Sequence, residues 1–147
     1  MSLLEDKNKY WGDFYKNEDA PHDPSSFAVE CGSIIRPSSK ILEIGSNDGV
    51  FIKNFDADKS VCIEPCGNFA KMTNDAGYKT YNEFASKALF TKVQNEHGKI
   101  DIVFAANCMC HIQNIYEIFE SIGGLLSDDG VLIIEDPSLL HTIQNNA

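Results

Sequence analysis

Long apolar runs are missing from this sequence. No stretch approaches the roughly 20 consecutive apolar residues that a bilayer-spanning helix needs. The first residues, MSLLEDKNKYWGDF, carry charges early and lack the apolar centre of a signal peptide. The expected location is therefore the cytoplasm, with no membrane partner. Basic residues are also scarce: 12 Lys and Arg stand against 22 Asp and Glu, for a net charge of −10. Affinity for nucleic acid rests largely on Lys and Arg displacing counterions from phosphates, so a nucleic-acid partner is excluded and a small-molecule or sugar-like one is favoured. Paired cysteines are lacking as well. The five are Cys31, Cys62, Cys66, Cys108 and Cys110, an odd number in a chain without an export signal, which points to reduced thiols. Neither Cys62-x3-Cys66 nor Cys108-Met109-Cys110-His111 has the C-x2-C spacing of a structural zinc site. No metal is expected, and the thiols read as small, half-buried apolar groups.

What is present fits a globular domain: 147 residues, 43% hydrophobic and 23% charged. Tyr10, Trp11, Phe14 and Tyr15 make an aromatic stripe at helical spacing, and Asp23-Pro24 opens a second helix carrying Phe27, Ala28, Cys31, Ile34 and Ile35. From Lys40 onward strands and helices alternate. Strands are expected at Lys40–Gly45, Ser60–Glu64, Lys79–Tyr81, Ile100–Ala106 and, after the turn Asp128-Asp129-Gly130, Val131–Glu135. Helices are expected from Val50 to Phe55 (a short one), Asn68 to Asp75, about Ala85 to Asn95, and Asn114 to Leu126 with Asn114 as N-cap. Such alternation predicts an α/β fold, with a mostly parallel sheet covered by helices on both faces.

In such sheets ligands bind beyond the carboxyl ends of the strands. The first of these ends, Glu43-Ile44-Gly45-Ser46-Asn47-Asp48-Gly49, lacks the middle glycine of the G-x-G-x-x-G fingerprint. That glycine lets a backbone approach a pyrophosphate, so a cofactor with one nucleoside and no pyrophosphate fits better. S-adenosylmethionine is such a cofactor, and its methionine portion can lie over Gly45, where a side chain would collide with it. At the end of the second strand, the Glu64 carboxylate can accept both hydroxyls of a ribose. The plain alternative for Glu64 is a solvated strand end. Asp48 could equally cap the helix that follows the loop.

The ordered strand ends EIGSNDG, IEP, ANCMCHI and IIEDPSLL resemble the class I S-adenosylmethionine-dependent methyltransferases, and within them the sugar C-methyltransferase group. The likeness covers roughly Lys40 to Leu140 and implies the Rossmann-like methyltransferase fold. It implies that Glu43 supports the loop and the cofactor's ammonium, that Gly45, Ser46, Asn47, Asp48 and Gly49 wrap the methionine portion, and that Glu64-Pro65 serves the ribose. It further implies that Glu83 and Phe84 form an adenine wall, and that Asn107 and Cys108 present backbone groups near the ammonium and sulfonium. His111 faces the same opening and is the catalytic candidate; its alternative is a half-buried histidine fixing a turn. The implied acceptor is a small molecule, with nucleotide-linked deoxysugars the class the resemblance names.

Residues 1–37 are then expected to form helices over the cofactor site, and 38–147 the cofactor-binding core. The core is expected to lack the last two strands of the class I fold, which would leave a sheet edge inviting a homodimer. Two rival readings stay open: a non-catalytic module that holds S-adenosylmethionine or a nucleoside, and an NAD-dependent sugar-modifying enzyme.

Overall fold

The computed structural model describes Arg36 and residues 38–136. The aromatic stripe, the helix after Asp23, Pro137 and the segment around Leu139, Leu140 and Ile143 lie outside the described residues. The proposed division at residue 37 therefore rests on the sequence.

Five strands form one sheet in the order β3-β2-β1-β4-β5, and every pairing in it is parallel. They are β1 (Ile41–Ile44), β2 (Ser60–Ile63), β3 (Lys79–Tyr81), β4 (Ile100–Ala106) and β5 (Leu126–Glu135). Three α-helices connect them: α1 (Gly67–Asp75), α2 (Lys87–His97) and α3 (Ile115–Leu125). Parallel strands need such crossovers, and the apolar runs ILEI and IDIVFAA reflect burial on both faces of the sheet. Central β1 is buried along its whole length, between β2 and β4.

Successive side chains along β1 point to opposite faces. Leu42 and Ile44 join Val61, Ile63, Val103 and Ala105 in a core closed by Leu89, Phe90 and Val93 of α2 and by Ile118, Ile122 and Leu125 of α3. Ile41 and Glu43 point the other way. In register with Glu43 lie Cys62 on β2 and Phe104 on β4. The Phe51 ring stacks on Phe104 with centroids 3.7 Å apart, which roofs this second face.

Three local expectations are corrected. The segment after the first loop forms only a 3-10 turn over Ile52–Asn54, not a continuing α-helix. Asn114 precedes α3, but its amide donates to Glu117 Oε2 at 3.0 Å and does not cap the backbone. The fifth strand begins at Leu126, which already pairs with Ile100. The expected turn is instead a wide bulge: the next pairing is Ile102 with Val131, leaving residues 127–130 opposite Asp101. Ser127 Oγ donates to Asp101 Oδ1 at 2.9 Å and ties the bulge to β4.

Candidate cofactor site

Because all five strands run the same way, the segments after them emerge on one edge of the sheet. The loop after β1 is the most constrained of them. Gly45, Asn47 and Gly49 all have positive φ, at +73°, +49° and +80°. Glycine and asparagine tolerate this left-handed region, which explains the residue types of the turn. The N–H of Gly45 donates to Ile63 O at 2.8 Å, so the loop is still zipped to β2 as it leaves the sheet. The Gly49 N–H closes back onto Ser46 O at 2.8 Å, and Gly49 O accepts from Lys53.

Two carboxylates hold this loop. Glu64 Oε2 accepts the Asn47 N–H at 2.8 Å, and Glu64 Oε1 accepts the Cys66 N–H at 2.7 Å. Glu64 is only 5% exposed, so it is no solvated strand end. Each carboxylate oxygen carries a second lone pair, which leaves acceptor capacity for a ligand hydroxyl. Glu43 is equally buried and takes a hydrogen bond from the Ile52 backbone. Burial pushes its carboxyl well above the usual range; the Ile52 hydrogen bond opposes this, while the charges of Asp48 and Glu64 add to it. Asp48 is half-buried. The turn at Ile52–Asn54 has Phe51 at its N-cap position and no side-chain cap, so the capping alternative for Asp48 fails.

The structure gives glycine at position 45 a reason within the protein itself. A Cβ there would lie 3.1 Å from Cys108 Cβ and 3.2 Å from Cys108 Sγ, in addition to the strain at φ +73°. The obstruction is the β4 loop itself. Cys108 Sγ donates to Ile44 O at 3.2 Å, so this thiol, and not only its backbone, binds the β4 loop to the end of β1. Desolvation first, then the charge of Asp136, pushes the Cys108 thiol up to about 12, which keeps it a neutral donor. On its neighbour Asn107 φ is +52°, and the Asn107 N–H donates to Glu135 O at 2.6 Å, turning the chain off the strand.

His111 ends the 3-10 turn Met109–His111 with its N–H on Cys108 O at 3.1 Å. Its side chain is exposed, which corrects the half-buried alternative. Glu83 and Phe84 follow β3 on the same edge. Glu83 pairs with Lys92 across 3.4 Å at the surface, and Phe84 is 79% exposed, an apolar ring presented to solvent. Asn82, before them, was not among the expected site residues. Its Nδ2 donates to both Glu64 O and Pro65 O at 2.9 Å. Its one visible signal in the sequence was position, directly after a strand.

Four buried side-chain atoms here have no hydrogen-bond partner: the Ser46 hydroxyl, which can donate or accept, and three pure acceptors, Glu43 Oε2, Asn47 Oδ1 and Asp136 Oδ1. Buried polar atoms are normally satisfied, and each orphan costs roughly 1–3 kcal/mol. All three acceptors belong to strand-end segments, and Glu43 and Asp136 both act on the Cys108 thiol. A ligand carrying an ammonium, which has donors and no acceptors, fits this set. Among the described residues no group of three or more His, Cys, Asp or Glu could hold a metal ion, and no helix is long and apolar enough to cross a membrane.

Comparison with known proteins agrees with this geometry. The profile of a family described as "Methyltransferase domain" matches residues 17–146. The chain is 29% identical over 108 residues to the C-methyltransferase NovU of Streptomyces niveus, a match covering 72% of this chain and 26% of that protein. It thus spans about a quarter of the curated relative. Among solved structures, it is similar to the plantazolicin methyltransferase BpumL in complex with a triazolic desmethylPZN analog and SAH, with a TM-score of 0.69, 14% identity, and coverage of 97% of this chain and 57% of that one. A SAM-dependent methyltransferase from Archaeoglobus fulgidus matches with a TM-score of 0.69 at 11% identity, over 98% of this chain and 63% of the other. These structural likenesses establish a shared Rossmann-like fold. The chain belongs to this family of methyltransferase domains, whose methyl donor is S-adenosylmethionine.

Proposed function

We propose that this chain binds S-adenosylmethionine across the carboxyl ends of β1, β2, β3 and β4 and directs its methyl group to a small-molecule acceptor, of the nucleotide-linked sugar class. The observation that carries the reading is the set of buried acceptors without donors at those strand ends, Glu43 Oε2 and Asn47 Oδ1 foremost. When bound, the cofactor supplies an electrophilic methyl group on a sulfonium. The residues of this chain supply position and charge. Glu43, with the loop Gly45, Ser46, Asn47, Asp48 and Gly49, takes the methionine portion and its ammonium. Glu64, followed by Pro65, accepts the ribose hydroxyls with its remaining lone pairs. Phe84, beside Glu83, offers a flat apolar face to the adenine. Asn107 and Cys108 border the sulfonium side.

An acceptor methylated at carbon must first lose a proton to a base. The relative named a C-methyltransferase supports that reaction type. His111, exposed on the segment after β4, is the base we propose. A nucleotide-linked keto-deoxysugar supplies an acidic C–H next to its carbonyl.

The test begins with thermal melting of the protein in S-adenosylmethionine, in S-adenosylhomocysteine and in NAD. Ligand at a hundredfold excess over its dissociation constant adds about 2.7 kcal/mol. Both adenosyl ligands should raise the melting temperature, and a rise with NAD alone would overturn the assignment. Labelled S-adenosylmethionine with a panel of keto-deoxysugar nucleotides then tests the acceptor class. His111→Ala should lower turnover about 10²- to 10⁴-fold without changing cofactor affinity. Cofactor binding with no labelled product on any acceptor would favour the non-catalytic module.

A further inference from the structure

Glu64 is held at every polar atom. Its N–H donates to Tyr81 O at 2.9 Å, and its carboxylate takes the N–H groups of Asn47 and Cys66. Its carbonyl accepts from the Asn82 side chain, which at the same time reaches Pro65 O. That side chain bridges the ends of β2 and β3. Two carbonyl acceptors at 2.9 Å require a two-proton donor, so the amide orientation is fixed by its partners. Its oxygen faces Gly67, where an added Cβ would sit 3.4 Å away, so the start of α1 closes round the same amide.

We infer that Asn82 is a positioning residue for ribose recognition: its amide fixes the Glu64-Pro65 turn and thereby aims the Glu64 carboxylate at the cofactor's hydroxyls. This rests on the assignment of Glu64 to the ribose proposed above. Asn82 itself is exposed and adds nothing to the apolar core. Its removal should therefore act on the aim of Glu64 more than on folding.

Ligand discrimination separates this role from a merely structural one. Dissociation constants are measured by calorimetry for S-adenosylhomocysteine and for its 2′,3′-dideoxy analogue, on the parent, Asn82→Ala, Asn82→Asp and Asn82→Gln. The parent should prefer the hydroxylated ligand. Asn82→Ala and Asn82→Asp should bind S-adenosylhomocysteine about tenfold more weakly, the scale of one lost charge-assisted hydrogen bond. They should bind the dideoxy analogue nearly as the parent does, so the preference collapses, while Asn82→Gln, which retains the donor, recovers part of it. Equal weakening of both ligands, or an unchanged preference, would overturn the inference. A parent that binds both ligands equally well would instead remove the ribose assignment of Glu64, and the inference with it. Urea unfolding of each variant shows that the binding data come from folded protein; Asn82→Asp keeps the side-chain shape should Asn82→Ala prove too unstable to assay.

Discussion

The N–H of Asn47 meets Glu64 Oε2 at 2.8 Å, joining the loop after β1 to the end of β2 through a buried carboxylate. Glu64 thus holds its own protein's loop in addition to the ribose role proposed for it. Its substitution should therefore register in stability as well as in binding. Glu64→Ala orphans the N–H groups of Asn47 and Cys66, each costing roughly 1–3 kcal/mol when buried. Urea denaturation should show a loss of about 2 kcal/mol or more, and affinity for S-adenosylhomocysteine should fall about ten- to a hundredfold. A variant of unaltered stability would mean that these N–H groups find water instead.

Gly45→Ala tests the contact with Cys108. Left-handed φ alone costs a non-glycine residue roughly 1–2 kcal/mol, and the new methyl meets Cys108 Cβ at 3.1 Å and Sγ at 3.2 Å. The substitution should destabilise by about 2 kcal/mol, and by less in a Cys108→Ala background, where the sulfur is gone. Equal costs in both backgrounds would remove the thiol from the explanation.

Phe84 gives the opposite signature. With 79% of its surface exposed, its ring contributes little to folding. Stacking of a base on an aromatic ring is worth about 1–3 kcal/mol. Phe84→Ala should therefore weaken S-adenosylhomocysteine binding about tenfold and leave the melting temperature of the unliganded protein unchanged. Unaltered affinity would put the adenine elsewhere.

The strands β1, β2 and β4 could be read from the sequence because burial on both faces writes them as largely apolar runs, IDIVFAA most clearly. The start of β5 could not. Ser127-Asp128-Asp129-Gly130 has turn composition, and only the pairing of Leu126 with Ile100 across the sheet makes the preceding residue part of a strand. The short helix after the loop is only a 3-10 turn, and the bond of its Ile52 N–H to buried Glu43 is a tertiary contact the local sequence does not show. The loop glycines were legible as glycines, but the contact of Gly45 with Cys108 was not, since Cys108 approaches it from a segment distant in sequence. Asn82 was hidden for the same reason: its two acceptors, Glu64 O and Pro65 O, become neighbours only once β2 and β3 pair.

The last prediction concerns pH. Glu43 is buried, its Oε2 has no partner, and its carboxyl is raised well above 4.5, chiefly by desolvation. The groups acting on it are the Ile52 N–H and Lys53, which favour the charged form, and Asp48 and Glu64, which oppose it. An acid raised on folding binds more protons in the folded state than in the unfolded one. Its contribution to stability is therefore present in full at low pH and is lost as pH rises from about 4.5 toward the raised value. Other carboxylates overlay slopes of their own, so the difference between the parent and Glu43→Gln isolates this one. In urea denaturation from pH 5 to pH 8, the parent should lose stability relative to Glu43→Gln as pH increases, and the variant should be the more stable at pH 8. The same variant should bind S-adenosylhomocysteine more weakly, because a neutral amide has no charge for the ligand's ammonium. A function that destabilises its own site predicts this pairing of gain and loss. Parallel pH profiles for the two proteins would show Glu43 ionised in the folded state throughout, paired with a donor that lowers its carboxyl back to the ordinary range.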